Sequence, residues 1–210
     1  MKAILFDLDG TLWDAIAPIT ESWNETMKRE REPFVFDERK IKSFMGLTPE
    51  ETVPLAFSGI SFGEGMTLFK KCVQGEIAFL AKKPGILYPQ ERKVLETLQK
   101  DYFLGIISNS DKGYVENYLS SCHMERYFSY HVCAGDTGLA KWGNILLALK
   151  ENSIKEAFYI GDTLKDKIET EKAGIPFVHA AYGFGVILGE ENAIHSILEL
   201  PTMAKKIFKE

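Results

Sequence analysis

The chain opens with a short apolar run, Ala3 to Phe6, that stops abruptly at Asp7. A continuous apolar run of that length, bounded by polar residues, reads as a buried strand. After Asp14 the period becomes helical, with Ile16, Ile19, Trp23 and Met27 on one face and charges between them. Asp37 is placed to cap a further helix that runs through Ile41 and Phe44 and stops at Gly46. "TPEE" then reads as a capping box, with Thr48 as N-cap, Pro49 at the first helical position and Glu51 reaching back. The spacing next predicts a loop from Gly59 to Gly65 and a helix through Met66, Phe69, Val73, Ile77 and Leu80. Residues 15–82 are expected to be helical, without a strand.

Pro84, Gly85 and Pro89 mark a linker, beyond which helix and strand patterns alternate. Val94, Leu95 and Leu98 predict a helix, and Tyr102 to Ile107 a buried strand ending at Ser108. Tyr114 to Leu119 is helical, Tyr130 to Cys133 a short strand, and Ile145 to Leu149 helical again. Ala157 to Ile160 predicts a strand ending at Gly161-Asp162, followed by a helix through Ala173, a strand at Pro176 to His179 and C-terminal helices. This alternation implies βαβ units and a parallel sheet covered on both faces. The first strand belongs with that sheet, so the fold class is α/β, a Rossmann-like core with an inserted all-helical domain. The expected division is residues 1–14 and 83–210 for the core and 15–82 for the insertion.

Composition narrows the function. An apolar share of 45% in 210 residues supports a packed core, and 25 basic against 30 acidic side chains leave a net charge of −5. That balance argues against a nucleic-acid groove and requires any anionic substrate to be attracted locally. Cys72, Cys122 and Cys133 show no paired spacing and read as buried small side chains in a reducing compartment. No signal-peptide pattern precedes the first strand and no apolar run approaches spanning length, so a soluble, cytoplasmic protein without membrane attachment is expected. Monomer and homodimer both stay open.

Candidate chemistry collects at strand ends. Residues two apart on a strand share a face, so Asp7 and Asp9 are expected side by side, their repulsion offset by a divalent cation such as Mg²⁺. In open parallel sheets ligands bind beyond the carboxyl ends of the strands. Three strands here end in polar residues: Asp7, Ser108-Asn109, and Asp162 of "YIGDTLKD". Ser108 alone would pass for a helix cap, but three convergent ends, two of them acidic, are poorly explained by capping.

"DLDGT", "SNS", Lys141 and "GDTLKD", in that order, resemble the four motifs of the haloacid dehalogenase superfamily, and the inserted helices resemble its cap. The resemblance implies a phosphoryl-transfer site. Asp7 would be the nucleophile, and Asp9 the general acid and base whose backbone carbonyl also ligates the metal. Relatives acting on carbon–halogen bonds typically lack the second acid, so Asp9 points to phosphoryl chemistry. Gly10 would permit the sharp turn, and Thr11 would fix it and contribute to substrate binding. Ser108 and Asn109 would bind the phosphoryl group, and Lys141 would offset its charge. Asp162 would complete the Mg²⁺ site with Asp7, while Asp166 would reach the metal through water or hold Lys141. The family often has a proline after this lysine; here the residue is Trp142. Lys112 is the weaker rival for the cationic role.

The stretch "KSFMGLTPEE" resembles the cap of phosphoglycolate-phosphatase-like members, with Lys42 and Thr48 as candidate contacts to the substrate. The implied activity is Mg²⁺-dependent hydrolysis of a small phosphorylated metabolite, phosphoglycolate or a similar phosphate monoester, through an aspartyl-phosphate. One alternative is a beta-phosphoglucomutase-like phosphomutase, but such relatives carry a histidine and a Lys-Gly-x-Ser-Arg type loop where this chain has Ile19 and "FMGLT". A non-enzymatic phospho-accepting module is the other, and it needs neither the helical insertion nor Asp9. "YGFG", Tyr182 to Gly185, is placed to border the site. The tryptophans read as packing.

Overall fold

A computed structural model describes all 210 residues. Strand β1 (Lys2–Phe6) is followed by a two-residue strand, β2 (Trp13–Asp14), and helices α1 (Ile16–Glu30), α2 (Glu38–Lys42), α3 (Pro49–Ala56) and α4 (Phe62–Leu80). The chain then forms β3 (Ile86–Leu87), α5 (Glu91–Leu98), β4 (Phe103–Ser108), α6 (Tyr114–Ser121) and β5 (Tyr130–Cys133). It ends with α7 (Ala134–Thr137), α8 (Lys141–Glu151), β6 (Glu156–Gly161), α9 (Leu164–Ala173), β7 (Phe177–Ala180), β8 (Ala193–Ile194) and α10 (Leu200–Phe208).

Six strands form one parallel sheet in the order β5-β4-β1-β6-β7-β8. β1 lies centrally, with Phe6 opposite Ile106 of β4 and Ile160 of β6. The winding direction reverses there, which makes the end of β1 the topological switch point. Strand alternation divides the core into two layers. Ile4, Phe6, Ile106, Phe158 and Ile160 pack in one cluster with residues of α5, α6 and α10. Leu5, Ile107 and Tyr159 face the other way, onto Ile145 and Ala148 of α8. The three cysteines are buried and unpaired.

Residues 15–82 contain helices and no strand, but several local expectations need correction. α2 stops at Lys42, and Phe44 lies in the turns that lead to Gly46. The predicted loop from Gly59 to Gly65 is cut short at Ser61, which caps α4: its hydroxyl accepts from Glu64 N–H, and Glu64 accepts from Ser61 N–H at 3.0 Å. That reciprocal cap outweighs the helix cost of Gly63 and Gly65. The linker at residue 85 contains β3, which pairs antiparallel with β2, so a small ribbon closes the base of the insertion. β8 is a sixth sheet strand hidden in a two-residue apolar pair.

The inserted helices pack through aromatic residues. Trp23 of α1 lies 5.2 Å from the Phe36 ring in an edge-to-face arrangement and 5.9 Å from Phe69. The insertion shares one continuous core with the sheet layer beneath it. Asn117 Nδ2 on α6 donates to Ile77 O on α4 at 2.7 Å, and Lys165 pairs with Glu51 across the same junction. No helix is long and apolar enough to cross a membrane.

Candidate active site

β1 ends at Phe6, and the expected side-by-side pairing of Asp7 and Asp9 on a strand face does not form. Leu8 O accepts from the N–H groups of Thr11, Leu12 and Trp13, winding the chain into a tight turn. Gly10 sits in that turn at φ +77°, and a Cβ there would collide with the Asp162 carboxylate. The turn separates the partners of the two acids, although both line the same cavity.

Asp7 continues the β1 alternation toward the α8 layer. Its Oδ1 accepts from Lys141 Nζ at 2.7 Å, and the Tyr159 hydroxyl, which donates to Ile107 O at 2.8 Å, lies 3.3 Å from the same oxygen. Asp9 turns the other way, and its Oδ1 accepts from Trp13 Nε1 at 2.9 Å and the Tyr114 hydroxyl at 2.8 Å. Burial pushes the Asp9 carboxyl up to about 6, opposed by those two hydrogen bonds.

Lys141 opens α8, is fully buried, and also donates to Asp166 Oδ1. Burial alone would lower its pKa, but the adjacent Asp166 and Asp7 carboxylates raise it well above the usual lysine value. Trp142 N–H donates to Glu169 Oε2 at 3.2 Å, a bond that a proline at this position would remove.

Asp7, Asp162 and Asp166 are all buried, with carboxylate oxygens within 4.8 Å of one another. Asp162 Oδ2 accepts from the backbone N–H groups of Phe184 at 2.6 Å and Gly185 at 3.3 Å. The neighbouring Gly183 admits this approach because a Cβ there would strike Asp162 and Gly10 O. "YGFG" thus supplies backbone donors to the cluster. Asp162 Oδ1, in contrast, is buried without a partner.

Three carboxylates share the single Lys141 ammonium, leaving two negative charges uncompensated in a buried space. Burial and the nearby Asp166 push Asp162 up to about 7, and burial with the same neighbour raises Asp7 well above the carboxylate range. A hard divalent cation fits this donor set: it supplies the missing charge and a partner for Asp162 Oδ1. The Asp9 carboxylate lies outside the cluster, its Oδ1 held by Trp13 and Tyr114. Asp166 Oδ2 caps α9 by accepting from Thr163 N–H at 3.0 Å while Oδ1 holds Lys141.

Ser108, the last residue of β4, is buried and lines the cavity with Asn109. Its oxygen accepts from Ser110 N–H at 3.2 Å, leaving its hydroxyl hydrogen uncommitted. Thr11 is fully buried, lies off the cavity wall, and its hydroxyl finds no partner. Lys42, Thr48 and Lys112 also lie off that wall. The Lys42 ammonium sits 5.3 Å over the Phe184 ring, and Thr48 caps α3.

Sequence patterns missed Tyr159, Tyr114 and the polar use of Trp13. Trp13 had a local signal, four residues beyond Asp9 in a tight turn. The two tyrosines had none, because each reaches its acid across more than a hundred positions.

The model of the haloacid dehalogenase-like hydrolase family matches residues 4–180. The phosphoglycolate phosphatase of Pseudomonas savastanoi pv. phaseolicola is 24% identical over 208 residues, covering 91% of this chain and 74% of that protein. The phosphoglycolate phosphatase of Rhodospirillum rubrum is 26% identical over 196 residues, covering 87% and 80%. Among solved structures, a haloacid dehalogenase-like family protein from Streptococcus pneumoniae superposes with a TM-score of 0.81 at 25% identity, covering 95% of this chain and 96% of that one. A subfamily IA hydrolase from Geobacter sulfurreducens gives 0.74 at 20% identity, covering 97% and 96%.

Proposed function

The chain belongs to the haloacid dehalogenase-like hydrolase family, and from that premise we propose that it is a Mg²⁺-dependent phosphatase. It hydrolyses a small phosphorylated metabolite through an aspartyl-phosphate on Asp7. The observation that carries this reading is the opposed tethering of two acids around one cavity: Asp7 by Lys141, Asp9 by Trp13 and Tyr114.

Because Asp7 Oδ1 is held by the Lys141 ammonium, Oδ2 is the oxygen left to attack phosphorus. As the phosphorus–oxygen bond to the alcohol breaks, the leaving oxygen takes the proton of Asp9. A carboxyl raised to about 6 holds that proton in part of the population near neutral pH. In the second half, ionised Asp9 takes a proton from water, whose oxygen attacks the phosphorus of the acyl phosphate. Inorganic phosphate leaves and Asp7 is restored. Ser108 and Asn109 bind the phosphoryl oxygens, and Lys141 offsets their charge.

Asp7 and Asp162, with the Asp9 backbone carbonyl, would hold Mg²⁺, and Asp166 would position Lys141 or meet the metal through water. When bound, the cation supplies positive charge against the clustered carboxylates and the phosphoryl oxygens. Ile19, where mutase-like relatives carry a histidine, lies on the cavity wall and offers no proton, which favours hydrolysis. The test is Mg²⁺-dependent phosphate release from p-nitrophenyl phosphate, followed by a broad screen of phosphorylated metabolites. Release is expected in both, and inactivity toward every ester would overturn the reading.

A further inference from the structure

The part of the cavity beyond the phosphoryl site has its own chemistry. The cavity measures about 120 Å³, which suits a small leaving group. The inserted segment lines it with Ile19, Trp23, Phe44, Phe69 and Val73, so the leaving group meets mainly apolar surface. Lys141 is the one basic residue on the wall, and its ammonium is already committed to Asp7 and Asp166.

One polar side chain interrupts the apolar wall from the α4 side. Glu76 is buried, belongs to no ion pair, and is anchored through Oε2, which accepts from Trp23 Nε1 at 2.6 Å. Trp23 is in turn fixed by the aromatic cluster, so the carboxyl is held by a rigid donor. Burial pushes the Glu76 carboxyl up to about 8. Near neutral pH it is therefore mostly protonated and able both to donate and to accept. The remaining ionisable acids on the wall are Asp7, Asp9 and Asp111.

Resting on the phosphatase reading above, we propose that this cavity selects phosphate esters of small, uncharged alcohols whose hydroxyl group meets Glu76, and disfavours alcohols carrying a carboxylate. A second carboxylate entering this space would lose its hydration without gaining a cation, and buried charge without a partner is costly. It would also approach a wall that carries four carboxyl groups, Asp7, Asp9, Glu76 and Asp111, against the single, already committed Lys141. A neutral hydroxyl exchanges hydrogen bonds with Glu76 at no such cost, and its carbon chain covers the aromatic wall. Phosphoglycolate, the ester for which the two relatives are named, carries the disfavoured group.

Three esters separate these terms: phosphoglycolate, 2-hydroxyethyl phosphate and n-propyl phosphate, which end in a carboxylate, a hydroxyl and a methyl. The wild-type kcat/KM for 2-hydroxyethyl phosphate is expected to exceed that for phosphoglycolate on the order of tenfold or more. Glu76→Gln keeps a group that donates and accepts, and should preserve the preference for hydroxyethyl over propyl. Glu76→Leu should erase that preference, chiefly through KM for the hydroxyethyl ester. If wild-type enzyme uses phosphoglycolate as well as or better than 2-hydroxyethyl phosphate, the inference fails, and this comparison needs no variant to fold. It fails equally if Glu76→Leu lowers both neutral esters by the same factor. Neither result touches the phosphatase reading, which falls only if wild-type enzyme hydrolyses neither p-nitrophenyl phosphate nor any ester of the metabolite screen.

Discussion

Lys141 Nζ donates to Asp7 Oδ1 at 2.7 Å, joining residues 134 positions apart in a site where both side chains are buried. The same ammonium holds Asp166, so one cation orients the acid that follows β1 against an acid in the first turn of α9.

Lys141→Met should therefore leave two carboxylates facing each other without a cation. Turnover is expected to fall by about 10²- to 10³-fold, the scale for losing one preorganised electrostatic contact. Steady-state kinetics with p-nitrophenyl phosphate measure this, and near-wild-type kcat in the variant would remove Lys141 from the reaction.

Asp7→Asn keeps the shape of the side chain and an oxygen for Lys141, while removing the attacking carboxylate. Turnover should drop by roughly 10⁴-fold or more, with the circular dichroism spectrum unchanged. A folded Asp7→Asn protein that kept substantial activity would show that another group attacks phosphorus.

Chelation with EDTA should silence the enzyme and added Mg²⁺ restore it. Binding that favours the folded chain also raises the melting temperature, by roughly 5 °C or more at saturating Mg²⁺. Asp162→Asn, which alters the carboxylate with the unpartnered buried oxygen, should lose most of that shift. An undiminished Mg²⁺ shift in this variant would place the metal elsewhere.

Glu91, the first residue of α5, is buried, its Oε1 accepting from the Tyr118 hydroxyl at 2.7 Å and its Oε2 without a partner. Burial pushes its carboxyl up to about 8, well above the ordinary glutamate value of 4.5. The folded state thus binds more protons than the unfolded state between those values. This contribution to stability is fully present below pH 4.5 and is lost as pH rises through about 8. Glu91→Gln should raise the melting temperature at pH 8 by roughly 5 °C and flatten its fall between pH 5 and 8. Parallel wild-type and variant melting curves across that range would contradict the assignment.

Much of the frame was legible in local pattern. The apolar runs at β1, β4 and β6 are buried on both faces, so each stands out as a block that ends where polar residues begin. The Thr48 cap was equally visible, because its partners lie within three residues. Where the reading failed, two local signals competed or a strand was too short to show a period. Glycines masked the start of α4, and β2, β3 and β8 each contain only two residues.

The sequence by itself determined the order of elements and the placing of acids at the ends of β1 and β6. Both follow from short-range rules of burial and capping. Only the tertiary structure decided that Asp7 and Asp9 take separate partners, that Asp162 is pinned by the backbone at Phe184, and that Glu76 meets Trp23. The physical reason is that a buried polar group must find its partner wherever packing brings one. For these side chains the partner lies on another element, at a distance no local period encodes.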